Sequence, residues 1–191
     1  MTAAPGQSLG TIVALDADGF AGIQRSDQAV AAALLEQHNR LLLRTAASHD
    51  GSIVKTAEAR TVLQFPTPAD AVRFGLDLLR RPVAVDALEW RVGIHVGDAS
   101  LADDVEVGWR LQARARSGSV CVSQQVQEQL VGKVVFSAQP AGDVTVPGRG
   151  LSVSALHLTA GRAAAFPVGP AAAGSLSGRG RKRSVAEELH A

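Results

Sequence analysis

Thr11–Leu15 is a run of five uncharged residues, and the first charged group after it is Asp16. A short apolar run of that length is the pattern of a buried strand. Asp16 and Asp18 stand where that strand should end, and Gly19 follows, a residue that lets a chain turn without a side-chain clash. An acid at the edge of a buried strand is costly without a partner, so a metal, a base or a helix N-terminus is expected beside it. A plain turn built from Asp18 and Gly19 accounts for the same residues.

Beyond Gly19 the period changes from two to three and four. Val30, Leu34, His38, Leu41 and Leu42 fall on one helical face, with Asp27 as the cap and an end near Ser48. Ile53–Thr56 and Thr61–Phe65 then read as two strands of a hairpin around Glu58-Ala59-Arg60. Thr67 caps a second amphipathic helix through Ala71, Phe74, Leu78 and Leu79, which stops near Arg80–Pro82. Trp90–Val96 is apolar enough for a central strand. The order is therefore strand, helix, strand, strand, helix, strand. That is a ferredoxin-like βαββαβ core, an α+β fold with a mixed, mostly antiparallel sheet and helices packed on it.

The second half predicts a helix within Val107–Arg116, a strand at Ser119–Ser123 and a short helix over Ser123–Leu130 with Ser123 as its hydroxyl cap. Three more strands are expected at Val134–Ser137, Asp143–Val146 and Leu151–Leu158. Alternation through Leu151, Val153, Ala155 and His157 suggests a half-buried edge strand. From Thr159 the chain turns to Ala, Gly, Pro and Ser, few of which can pack. The organisation is a flexible N-terminus at 1–8, one domain at 9–158 and a disordered tail at 159–191. The tail carries a basic cluster, Arg179–Arg183, and a possible short helix after Ser184.

Composition narrows the classes. The 191 residues can bury one proper core, and a net charge of +1 gives no field that favours nucleic acid or a membrane surface. One cysteine, Cys121, excludes an intrachain disulfide and fits a reducing cytoplasm. No apolar run reaches the ~18 residues of a membrane span, and the first ten residues show no secretory signal. The bias toward Ala, Val, Gly and Arg is that of a GC-rich bacterial genome. Cys121 and His95, each in a strand, read as core residues, and the five histidines show no metal-ligand spacing. Phe20 and Trp109 read as interface or core aromatics, with the core favoured. Arg181-Lys182-Arg183-Ser184 has the form of a basophilic kinase site, and the 179–191 segment is a candidate docking peptide for a protein partner.

Five segments, in order, resemble the motifs of class III adenylate and guanylate cyclase catalytic domains. They are Asp16-Ala-Asp-Gly-Phe20, the hairpin Gly51–Phe65, the strand Arg91–Gly97, Gly118–Ser123 and Ala141–Gly148. The resemblance spans roughly residues 9–158. It implies that two chains meet head to tail and build active sites at their interface. One chain's two aspartates would hold two Mg2+ or Mn2+ ions that activate the ribose 3′-hydroxyl, while its partner reads the base and steadies the transition state.

Carried over by motif, the match is partial. Asp16 takes the first metal position and Ala59 the second, where no ligand remains; Glu58 beside it is expected to point elsewhere. Lys55 takes the base-reading position. Arg110 takes the transition-state position, but Glu106 replaces the asparagine that orients the ribose. Pro147 replaces a phosphate-binding lysine, with Arg149 nearby. The stretch from His95 to Val107 is about half as long as its family counterpart and lacks most of a β-hairpin.

The resemblance therefore implies a degenerate cyclase-like domain, a regulatory or interaction module in bacterial signalling that needs no cofactor. It would pair as a homodimer or with a cyclase-like chain. An active cyclase, or half of a heterodimeric one, is the first alternative and would use Mg2+ or Mn2+. A nucleotide or anion sensor using Lys55, Arg110 and Arg149 is the second.

Overall fold

The computed structural model describes residues 10–81, 89–116, 119–146 and 150–160. The predicted N-terminus 1–8 and residues 161–191 of the predicted tail 159–191, with Arg179–Arg183 and Ser184, lie outside them, as do Pro147 and Arg149; Thr159 and Ala160 are not tail but strand, paired with Ser137 and Phe136.

Seven strands form one sheet: β1 (Gly10–Asp18), β2 (Ser52–Ala57), β3 (Arg60–Phe65), β4 (Glu89–Gly97), β5 (Val120–Ser123), β6 (Phe136–Val146) and β7 (Leu151–Ala160). Their spatial order is β2-β3-β1-β4-β5-β7-β6. Only β4 and β5 run parallel; every other neighbouring pair is antiparallel. The first four strands, with the helices between them, form the ferredoxin-like core. The helices are α1 (Phe20–Ser26), α2 (Gln28–Ala47), α3 (Pro68–Leu79), α4 (Ala102–Arg114) and α5 (Gln124–Leu130).

β1 is central because its residues Ile12–Leu15 are apolar on both faces and wholly buried. Val13 and Leu15 join Leu63, Phe65, Val92 and Ile94 in the larger core, under α2, α3 and α5. Phe65 and Phe74 meet there, with ring centroids 4.9 Å apart. The opposite face packs α4, whose Val107 and Leu111 meet Cys121, Val144 and Ala155. Gly93 allows α4 to lie close: a Cβ there would fall 2.3 Å from Gly108 O and 2.2 Å from Gln112 N.

Local signals place the helix starts. Asp27 accepts hydrogen bonds from the Ala29 and Val30 amides, 3.0 Å each, and Thr67 Oγ1 accepts from the Asp70 amide. Long-range packing changes other expectations. Val30 is 44% exposed, and Ala31 takes its place beside Leu34, His38 and Leu42, because one residue is a 100° rotation on a helix. The predicted strands Val134–Ser137 and Asp143–Val146 are one strand, β6, with an irregularity between Pro140 and Gly142. β6 forms the sheet edge, where a proline's missing N–H breaks no ladder on the open side. β7 is consequently an interior strand between β5 and β6, not the edge. Ser123 makes no cap bond; its hydroxyl turns into the sheet, 3.1 Å from His95 Nδ1. The predicted helix at Val107 begins five residues earlier, at Ala102. No helix among the described residues is long and apolar enough to cross a membrane.

Candidate functional site

The resemblance puts the chemistry at the C-terminal end of β1. That strand runs on through Asp16 to Asp18, further than the apolar run predicts, and Gly19 makes the turn at φ 92°. Antiparallel register sets Asp16 opposite Arg60 on β3 and Arg91 on β4. Asp18 Oδ2 accepts a hydrogen bond from Arg91 Nη2 at 2.5 Å. Burial raises the Asp16 carboxyl above its ordinary 3.8; Arg60 pulls it down, neighbouring Asp18 pushes it up, and the Ala17 amide and Arg91 pull it down. The acid at this strand end thus has its counter-charge, and that charge is arginine.

Asp16 and Asp18 line a small pocket of about 150 Å3 with Glu58, Ala59 and Arg60. Glu58 does not point away from this pocket. The hairpin turn holds it at φ 55°, in the left-handed region that favours glycine, and this brings it to the same rim. There its Oε1 accepts from Gln24 Nε2 at 3.4 Å. Ala59 is 3% exposed and packs into the larger core. Among the described residues, no three His, Cys, Asp or Glu side chains converge as a metal site. A pair of divalent ions does not fit these residues: Ala59, where the resemblance puts the second ligand, offers only a buried methyl group, and Arg60 stands across from Asp16.

Lys55 is exposed on β2 beside a register shift at Ile53/Lys55. It lines a second cleft of about 190 Å3 with Arg60, Val62, Val105 and Trp109. Arg60 borders both hollows, and its Cζ lies 4.1 Å from the centroid of the Trp109 ring. A cation over an indole face is attracted by the ring quadrupole. Trp109 is therefore a half-buried partner of Arg60 and not a core aromatic, whereas Phe20 is in the core. Arg110, one residue on, lines neither hollow; its Nε donates to Glu106 Oε1 at 2.7 Å. Asp98–Leu101 alone joins β4 to α4, so the described chain has no hairpin there.

Arg60 and Trp109 are the residues that motif reading missed. Arg60 directly follows Ala59, where the resemblance expects a metal ligand, and the strand register sets it opposite Asp16. Away from this end, Cys121 is buried and its thiol is pushed up to about 12, so it carries no nucleophilic character. His95 is a core histidine as expected, buried and kept neutral by desolvation.

No family model matches the chain. Over 153 residues it is 28% identical to the serine/threonine-protein kinase pkn2 of Myxococcus xanthus, covering 73% of this chain and 18% of that protein. It thus spans less than a fifth of the length of that curated relative. The guanylate cyclase domain of RhGC from Catenaria anguillulae, solved with GTP, superposes at a TM-score of 0.70 with 19% identity, over 83% of this chain and 100% of that one. The adenylyl cyclase CyaB from P. aeruginosa gives 0.68 and 17%, over 81% and 95%. An adenylate/guanylate cyclase/hydrolase from Silicibacter pomeroyi gives 0.66 and 24%, over 79% and 96%. The seven-stranded sheet, its helices and these superpositions agree: this chain has the fold of the class III nucleotidyl cyclase catalytic domain.

Proposed function

We propose that the chain is a catalytically degenerate cyclase-like domain, a regulatory or protein-interaction module in bacterial cytoplasmic signalling. The observation that carries this reading is at Ala59: a core methyl group occupies the second metal position, and Arg60 beside it supplies a fixed cation opposite Asp16. In-line displacement by two metals needs ligands for both. The pairing of Arg110 with Glu106 and the four-residue Asp98–Leu101 connection support the same reading. Likeness to one stretch of a much longer protein kinase fits a place in signalling. The chain pairs with itself or with a cyclase-like partner, and the 179–191 segment docks a further protein.

Purified protein with ATP or GTP and Mn2+ is expected to yield no cyclic nucleotide. Turnover that disappears in Asp16→Ala would overturn the proposal. Light scattering across a concentration series reports the dimer, and a pull-down with and without residues 179–191 reports the docking segment.

A second reading has one observation in its favour. Lys55 and Arg60 line a hollow walled by an aromatic face and the apolar Val62 and Val105. Two cations with an indole suit a phosphate or nucleotide sensor, with Arg149 as an additional cation. Thermal shifts with nucleotides distinguish it: stabilisation that Lys55→Ala removes favours the sensor.

A further inference from the structure

The C-terminal end of β4, through His95, Val96 and Gly97, opens on a cleft of about 550 Å3. This volume is in the range of small-molecule sites, roughly 300–1,000 Å3. β4 contributes His95, the first turn of α4 contributes Asp104, α5 contributes Gln125, Glu128 and Gln129, and Val153 of β7 closes one side. Among the described residues, no lysine or arginine lines the cleft.

Two of these side chains are held in position. Asp104 Oδ2 accepts the Asp98 amide at 2.8 Å. The same carboxylate lies over Gly97, where a Cβ would come within 2.7 Å of it. His95 is 6% exposed, and its Nδ1 lies 3.1 Å from the hydroxyl of wholly buried Ser123. Its Nε2 makes no hydrogen bond among the described residues, and the side chain lines the cleft. A buried imidazole nitrogen left open toward a cleft is a hydrogen-bonding group awaiting a partner. With Nδ1–H donating to Ser123 Oγ, Nε2 presents a lone pair. Every polar group on the wall can then accept a hydrogen bond, and two carry negative charge.

We propose that this cleft binds an organic cation, an ammonium or guanidinium group, with Asp104 and Glu128 as counter-charges and His95 Nε2, Gln125 and Gln129 as further acceptors. A divalent metal is the poorer match, because no three ligating side chains converge among the described residues. The site is separate from the Asp16 pocket. Gly97 pairs with Gly10 at the far end of β1, about 20 Å from Asp16 at ~3.3 Å per strand residue. It stands or falls independently of cyclase chemistry. The cation has two possible sources, a free amine or the chain's own Arg179–Arg183 cluster.

The test is calorimetric titration of the full chain with agmatine, which carries both cations, against 1-butanol as a neutral control. Agmatine binds and butanol does not; in the double variant Asp104→Asn, Glu128→Gln the affinity falls about tenfold or more. The asparagine still accepts the Asp98 amide, so an unchanged ligand-free melting temperature shows that the fold is retained. Replacing Arg179, Arg181, Lys182 and Arg183 by glutamine in the full chain identifies the source. Tighter agmatine binding means that the tail competes for the cleft, and equal binding means that a free cation is the occupant. Absence of agmatine binding up to about 10 mM, or equal affinity in the double variant, overturns the proposal.

Discussion

Arg110 donates to Glu106 across 2.7 Å, one turn apart on α4. Arg110, to which the resemblance assigns the transition-state role, is thus paired with Glu106, which stands where the resemblance expects an asparagine. Exposed pairs of this spacing contribute only ~0.3–0.5 kcal/mol, so the effect is on charge rather than on stability. Glu106→Asn is expected to leave the melting temperature nearly unchanged. It should tighten ATP or GTP binding about fivefold, the ~1 kcal/mol of one unit charge at close range in water. Titration with a fluorescent nucleotide reads this, and equal affinities would show that Arg110 faces no phosphate.

Ala59 tests the metal argument from the other side. Ala59→Asp buries a carboxylate with no partner and should destabilise the metal-free protein by about 1–3 kcal/mol. Mn2+ should then restore part of the loss, read as a manganese-dependent rise in melting temperature that the native chain does not show. A variant that is destabilised but indifferent to Mn2+ would mean that Arg60 keeps the site closed to cations.

Asp16 should make the protein less stable toward neutral pH. Its native pKa lies above 3.8, so the folded state holds the proton to a higher pH than the unfolded chain does. The resulting stabilisation is complete below 3.8 and is lost as pH rises through the native value. Asp16→Asn is therefore expected to be more stable than the native chain at pH 7, with the gain fading toward pH 4. Urea unfolding at the two pH values measures the difference.

His38 acts in the opposite direction. Its ring stacks on Trp90 with centroids 4.5 Å apart, and burial lowers its pKa to about 4. The unfolded chain takes up the proton first, so stability is full above 6.5 and falls as pH drops toward 4. The loss is on the order of 3 kcal/mol for the full window. His38→Phe keeps a stacked ring and should flatten this acid limb. An unchanged limb in the variant would place the titration elsewhere.

Gly93 is where the α4 layer meets the sheet. Gly93→Ala drives a methyl group against the backbone of Gly108 and Gln112, which no rotamer change relieves. Overpacking of this kind costs about 1–3 kcal/mol, and the denaturant midpoint should fall accordingly. A neutral substitution would show that α4 can lift from β4 freely.

Much of this protein was legible without coordinates, and for local reasons. The apolar run at Thr11–Leu15, the cap residues Asp27 and Thr67 and the turn at Glu58-Ala59 act within a few positions of themselves. The element order and the five motif segments follow from them, and with these the fold. At Ala59 and Glu106 the motif resemblance expects an aspartate and an asparagine, and an absent carboxylate or an added charge shows in the residue types alone.

What the tertiary structure decided depends on partners distant in sequence. Whether β7 lies inside the sheet depends on where β6 pairs. Ser123 Oγ turns from its own helix to His95 because parallel pairing of β4 and β5 brings the two strands side by side. Most of all, the charge balance around Asp16 is set by strand register: two arginines 44 and 75 residues away in the chain become its cross-strand neighbours. Hydrophobic periodicity fixes which face of a strand is buried, but only the assembled sheet determines which charges then stand opposite one another.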